Sequence, residues 1–316
     1  MPASPVPALS AILCVDHTRC GADTIAALRR EARELPLELV LVGVNGRRPE
    51  PPDDTAGFAA VRLVVHEGAA LSDARTTGVR AAAAPYVAIA ETHSFPQRGW
   101  ANGIVRRLDD GWAAVGPAIA SANPGRKGAA MTVFDYGRWM AGPGGPWPDL
   151  PGHNTAYRRD ALLGALEEMP DGMDAENLLQ GEIRRAGGEL YLDMDVRIAH
   201  LNCEHYGAAG REWRDFSRVY AARRAANWGR LRRAVYGAGS ALLPVVRLTR
   251  LIGFARRGGH LGLLLRGLDI VSVALVSSAF GEMLGYLTLR CDPAATQEVE
   301  LHRRRWAPSA PSASAT

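Results

Sequence analysis

The first two hundred residues alternate short apolar runs with amphipathic stretches, and this rhythm constrains the fold more than any other feature of the chain. Residues 9–15 (LSAILCV), 37–44 (LELVLVGV), 61–65, 86–90 (YVAIA) and 113–119 (AAVGPAI) are the apolar runs. Runs of this kind suit strands buried on both faces. Between them, residues 24–35 set Ile25, Leu28 and Ala32 among Arg and Glu. Residues 71–84 are rich in small side chains, and residues 96–108 carry Pro96 near their first turn. All three segments read as helices. A β-α-β-α-β order predicts an α/β domain with a mostly parallel sheet covered on both faces. Ligands of such sheets bind beyond the carboxyl ends of the strands. Asp16, Asn45 and Glu91, which follow three of the strands, are therefore the first candidates for a site. For Asn45 the plainer reading is a turn, because Asn-Gly is a common turn pair.

Further along, residues 121–151 are rich in glycine and proline around Tyr136, Trp139 and Trp147, which predicts a long loop acting as a lid. Residues 174–186 read as a helix carrying Glu176, Glu182, Arg184 and Arg185, followed by a strand at 189–192 and the segment 196–203. Beyond Tyr206 the pattern changes. The chain has 37 basic and 33 acidic residues, and from Arg211 onward 17 Arg face 7 acids, a balance of +10. Residues 1–210 then hold 20 basic and 26 acidic residues, a balance of −6, so the two parts sum to +4. This asymmetry predicts two kinds of structure with two kinds of partner. The expected division is a disordered N-terminus (1–8), an α/β domain (9–210), a basic, apolar helical appendage (211–290) and a largely disordered tail (291–316).

In the appendage, arginines alternate with aliphatic runs rather than with stacking aromatics, which favours an anionic lipid surface over nucleic acid. Residues 270–281 are uncharged but number only 12, fewer than the ~17–25 a spanning helix needs. In-plane or re-entrant membrane contact is the expectation, and a soluble helical cap is the alternative. Hydrophobic residues at 47% and charged residues at 22% exclude a chain disordered throughout. Four cysteines without a CxxC pair give neither a disulfide framework nor a structural zinc site, so a reducing compartment is expected. The opening MPASPVPALS lacks the basic and apolar regions of a cleaved secretory signal.

Several stretches, taken in order, resemble a family-2 glycosyltransferase with the nucleotide-sugar-binding GT-A fold, a Rossmann-like α/β architecture. They are the opening strand with a helix entering at Asp23-Thr24, LELVLVGVNG, GAALSDARTTGVRAA, YVAIAETHSFPQRGW, LPGHNTAYRRDAL and DAENLLQGEIRRAGGELYLDMDVRIAHLN. Together they cover roughly residues 9–205. The resemblance implies an enzyme, of inverting stereochemistry, that moves a sugar from a nucleotide-diphosphate sugar to a glycan or lipid-linked acceptor. It also implies work at the cytoplasmic face of the cell membrane and a divalent cation, Mn²⁺ or Mg²⁺.

Residue by residue, the resemblance implies the following roles. Glu91-Thr92-His93 stands where similar enzymes carry a D-x-D type motif, so Glu91 and His93 would hold the cation, and His200 in IAHLN would complete its shell. The second acid of the motif is absent here. Asn45 stands where an Asp usually meets the nucleobase or ribose. Arg75 in SDARTTG would face the phosphates, a task suited to guanidinium; a surface Arg on a helix is the plain alternative. Asp16 belongs to the same nucleotide-sugar pocket. His153 and Asn154 in PGHN fall on the acceptor side. Glu176 would be the general base, with Asp174 as competing base and a helix N-terminal acid as the structural alternative. A cluster of His200, Cys203 and His205 meets no known ligand spacing. The altered motif leaves open a non-catalytic protein of the same fold that binds a nucleotide sugar or a partner enzyme. A nucleotidyltransferase fits less well, because DHTRCG follows the first strand where such enzymes carry a Gly-rich loop.

Overall fold

The computed structural model describes residues 5–152 and 154–308; the readings for residues 1–4, His153 and residues 309–316 lie outside these. In chain order the elements begin with β1 (Leu9–Val15), α1 (Ala22–Glu31), β2 (Leu37–Gly43), β3 (Ala60–Val65), α2 (Leu71–Ala81), β4 (Tyr86–Ala90), β5 (Ser94–Pro96), α3 (Trp100–Asp109) and β6 (Ala114–Ser121). There follow α4 (Arg126–Met140), β7 (Gly145–Pro146), β8 (Ala156–Arg158), α5 (Arg159–Glu168), α6 (Glu176–Arg185) and β9 (Leu190–His200). The rest is helical: α7 (Tyr206–Arg224), α8 (Arg230–Gly239), α9 (Leu243–Arg257), α10 (Leu261–Arg266), α11 (Leu268–Thr288) and α12 (Gln297–Leu301).

Two compact units result. The first comprises Met1–Ala120 and Pro143–His200, the second Ser121–Gly142 and Leu201–Thr316. The first unit holds one sheet of order β3-β2-β1-β4-β8-β6-β9-β5, with β7 paired to β9. The α/β expectation holds, with β3, β2, β1 and β4 pairing in parallel. Beyond β4 the pairings of β8 with β4 and β6, and of β9 with β5 and β7, are antiparallel. "Mostly parallel" is therefore corrected to mixed parallel and antiparallel. The reason is β8 and β5, three-residue strands too short to leave a periodic signal, which turn the chain back along the sheet.

Every residue of β1, β2 and β4 is buried, as two-sided strands require. Glycine lets α2 sit close to the sheet: a Cβ at Gly78 would come within 2.4 Å of Ile12 Cγ2 and 2.9 Å of Val42 Cγ2. β9 is one continuous strand rather than the two segments read from sequence. Asp193 interrupts its apolar pattern, yet is buried and accepts a 2.7 Å hydrogen bond from Arg107 Nε.

The expected lid is also corrected. Residues 126–140 form helix α4, whose Ala130, Met131 and Val133 join Leu251, Leu264, Ile270 and Leu275 in the core of the second unit. Its glycines mark close packing rather than a loop, since a Cβ at Gly128 would lie 2.1 Å from the Asn123 side chain. In the same unit α11 lies against α7, where Cβ atoms at Gly281 and Gly285 would come within 2.0 Å of Arg214 O and 2.4 Å of Arg218 O. Residues 291–308, read as part of a disordered tail, instead carry α12 and a 3-10 turn at Arg303–Trp306. Arg303 anchors them: it is buried and donates to Glu212 Oε2 and Glu300 Oε1, each at 2.7 Å.

Candidate functional site

The site grows from the turn that leaves β4. Ser94 N donates to Glu91 O at 3.3 Å, closing a turn over residues 91–94. Thr24 of α1 donates its hydroxyl to Glu91 O at 2.7 Å, and Asn154 Nδ2 donates to Ser94 Oγ. Asn154 adopts a left-handed backbone (φ 52°), a conformation Asn tolerates better than most residues, and its N–H donates to Ile89 O at 2.7 Å. The turn is thus braced from two sides. Its next residues enter β5, which pairs antiparallel with β9 so that Ser94 stands opposite His200. This pairing, absent from the sequence reading, is what brings His93 and His200 together.

Five of the predicted side chains converge here. Arg75 Nη2 donates to Glu91 Oε1 at 2.9 Å and Arg75 Nη1 to Glu176 Oε1 at 3.1 Å. The other oxygen of Glu91, Oε2, lies 3.3 Å from His93 Nε2 and 3.5 Å from His200 Nε2. The two imidazoles meet edge to face with centroids 4.8 Å apart. All five are nearly sealed from solvent: side-chain exposure is 9% for Arg75, 3% for Glu91 and 11% for Glu176. Glu176 is the first residue of α6, and Gly152 lies against it; a Cβ there would sit 2.8 Å from the carboxyl carbon. Only glycine leaves that carboxylate its place.

Glu91, His93 and His200 bring one carboxylate oxygen and two imidazole nitrogens within 4.8 Å of one another, a buried group able to hold a divalent cation. Arg75, which the resemblance implies faces phosphate, spans the two carboxylates Glu91 and Glu176. Asp174 ends a 3-10 turn just ahead of α6. Asn45 is not brought into the cluster. It is exposed, with φ 57°, and with Gly46 (φ 68°) makes the turn after β2. Asp16 follows β1 and accepts from His17 N at 2.8 Å. It groups with His17 and Cys20, whose ligand atoms also lie within 4.8 Å of one another. There His17 Nδ1 accepts from Cys20 N at 3.1 Å, capping the short turn that opens at Thr18.

Sequence reasoning did not assign Thr24 or Ser94 to this site, and it took the glycine of PGHN, Gly152, as allowing a close backbone approach. The contacts of Thr24 with Glu91 and of Ser94 with Asn154 join residues 60 or more positions apart, so no local pattern announces them. Cys14 of β1 was also unassigned. Burial pushes its thiol up to about 12, with Arg75 pulling it down and Glu91 adding to the rise.

No family model matches this chain, and no curated protein matches it. Among solved structures, it is similar to the crystal structure of S. aureus TarS 1-349 at 11% identity, covering 87% of this chain and 89% of that one with a TM-score of 0.42. A likeness this loose identifies neither family nor activity.

Proposed function

We propose that this chain is a glycosyltransferase of the GT-A type, similar in its motifs to family 2. It would transfer a sugar, with inversion, from a nucleotide-diphosphate sugar to a hydroxyl of a glycan or lipid-linked acceptor at the cytoplasmic face of the membrane. The observation that carries the reading is the meeting of Arg75, Glu91, His93, Glu176 and His200 beside the carboxyl end of β4, where the motif resemblance also puts the donor diphosphate.

In this reading Glu176 takes the proton of the acceptor hydroxyl as that oxygen attacks the anomeric carbon. The bond from that carbon to the diphosphate breaks on the opposite face, and the nucleoside diphosphate leaves with the bonding pair. A cation held by Glu91, His93 and His200 would offset the charge gathering on the leaving diphosphate. The incoming diphosphate competes with Glu176 for the Arg75 guanidinium, and its capture would turn Glu176 toward the acceptor. Asn154 would serve the acceptor side through the turn it braces. Asp16 and Asn45, after the neighbouring parallel strands, fall on the nucleoside side.

A non-catalytic nucleotide-sugar-binding protein is the second reading, favoured by the Arg75–Glu176 ion pair and by His93 in place of a second acid. Transfer assays with UDP-, GDP- and dTDP-sugars decide between them. Glu176→Gln should slow transfer by ~10²–10⁴-fold while leaving donor binding, read by thermal shift, nearly unchanged. Asp174→Asn should transfer near normally. If Asp174→Asn abolishes transfer and Glu176→Gln does not, the base is Asp174. Donor binding without transfer in the parent chain establishes the second reading.

A further inference from the structure

Where α7 ends and α8 begins, aromatic rings and arginines of the helical unit pack into one patch. The rings of Trp228 and Tyr286 stack nearly parallel, with 5.7 Å between centroids and 5° between planes, and Tyr236 meets them at 4.7 Å and 5.6 Å. Arg224 donates to the Tyr286 hydroxyl at 3.0 Å and lies 5.3 Å from the Trp228 centroid. Arg232 lies over Trp228 at 3.9 Å and reaches Tyr236 at 5.8 Å. We propose that this corner is a membrane contact that reads phosphate: Arg232, held over Trp228, takes the phosphate of an anionic phospholipid while Leu231 and Val235 enter the hydrocarbon beside it.

The charge of this patch is left for a partner. Residues 216–268 hold eleven arginines and no acid. Glu282 of α11 is taken by Arg247, and among the described residues Arg232 has ring contacts only, with no carboxylate or other acceptor on its N–H groups. A guanidinium resting on a ring keeps its in-plane fork of donors, which matches two oxygens of one phosphate. The ring contact also fixes the side chain beforehand, so less rotamer freedom is lost on binding.

The order of side chains around α8 selects a bilayer over a free anion. Leu231 and Val235 are four residues apart and share one face, 81% and 60% exposed. Arg232 and Tyr236, also four apart, share the face next to it. An apolar stripe thus runs beside an Arg/aromatic stripe, the order met on passing from acyl chains to headgroups. Nucleic acid suits the patch less, because Trp228 is already stacked, whereas single strands bind on open aromatic faces.

The inference deepens the membrane-face part of the function proposed above and does not depend on sugar transfer. The test floats the full chain with phosphatidylcholine vesicles that contain or lack phosphatidic acid. Arg232→Lys keeps the charge but loses the fork, and should weaken binding to phosphatidic acid by ~10-fold. Arg256→Lys, near the exposed C-terminal end of α9, should change it by less than about twofold, since a diffuse field counts only charge. Arg232→Gln should cost more than ~30-fold, against ~5-fold for Arg256→Gln. Equal losses at the two positions mean a diffuse basic field and overturn the proposal, as does a parent chain that never floats. Inorganic phosphate should release no more protein than chloride at equal ionic strength; specific release makes free phosphate the ligand and overturns the lipid assignment. Arg232-dependent binding to a single-stranded oligonucleotide that is tighter than binding to the vesicles also overturns it. Arg232 is exposed, so its variants should fold. Should they not, phenylglyoxal modification of the parent chain decides. Vesicles with phosphatidic acid should protect Arg232 from the reagent and those without should not, and equal modification with both overturns the site. Vesicle binding through Arg232 in a chain that transfers no sugar would leave this inference standing while removing the proposed activity.

Discussion

Arg75 is the residue on which the site turns. It lies 16 positions from Glu91 and 101 from Glu176, and links both in a space almost closed to water. Taking a guanidinium out of water is expensive, and two carboxylates offset that only while all three charges stay together. Arg75→Met should therefore lower the unfolding free energy by about 3–5 kcal/mol, because it strands two buried carboxylates. A shift in the urea midpoint at constant slope is the expected signature. Arg75→Lys should fall between, since an ammonium cannot present two donors in one plane to two partners. Adding Glu91→Gln and Glu176→Gln to Arg75→Met should recover part of the loss, as the stranded charges disappear. If Arg75→Met changes stability by less than ~0.5 kcal/mol, the ion pairs are not what holds these side chains.

At the scale of elements, glycine separates what was legible in the sequence from what was not. In α11, Cβ atoms at Gly281 and Gly285 would meet backbone oxygens of α7 at 2.0 Å and 2.4 Å, atoms that cannot swing aside. Gly281→Ala and Gly285→Ala should each cost ~1–3 kcal/mol by forcing the helices apart. Gly164 in α5 and Gly181 in α6 have nothing within 4 Å of the added carbon, so alanine there should stabilise by up to ~1 kcal/mol through helix propensity alone. Thermal unfolding of the four variants checks the contrast, and equal effects at all four would refute the close packing of α11 on α7. The sequence does not mark this difference. A glycine at a helix crossing and one facing open space look alike, which is why α4, with Gly128 and Gly137, reads as a loop. β1, β2 and β4 were legible because two-sided burial demands unbroken apolar runs. β5 and β8 have three residues each, too few for a period, and β9 hides behind the buried Asp193. For the site, Glu91 was legible from its place after a strand, and Asn45 proved to be the turn that Asn-Gly also suggests. The Arg75 bridges were not, because residues far apart in the chain carry no mark of their meeting.

On the scale of the whole molecule, the question is what the basic C-terminal third touches. Among the described residues, two helical runs have the length and apolar character to cross a membrane, Arg230–Arg257 and Leu268–Thr288, with mean hydropathy 1.3 and 1.6 over their apolar 18-residue stretches. In the second, 56% of that stretch is buried within the protein, and the helix packs on α7 through its glycines, as a core helix does. In the first, only 17% of that stretch is buried, the run carries Arg247 and Arg250, and α9 begins afresh at Leu243 after a 3-10 turn. Leu231, Val235, Leu242 and Val245 on this run are between 60% and 81% exposed. Apolar side chains facing outward beside many arginines fit a helix lying in the headgroup plane better than one that spans. Each Arg near an anionic surface adds ~1 kcal/mol, screened by salt, whereas apolar insertion is not screened. Flotation with liposomes should therefore show bound protein rising with anionic lipid and falling in part, not wholly, at high salt. Replacing Leu231, Val235, Leu242 and Val245 together by Ser should remove the salt-resistant part and leave the salt-sensitive part. These side chains are exposed, so the stability of the folded chain should change little. If the parent chain stays at the bottom of the gradient at every lipid composition, the exposed stripe serves something other than a bilayer. If binding is abolished by salt alone, the arginines act without insertion.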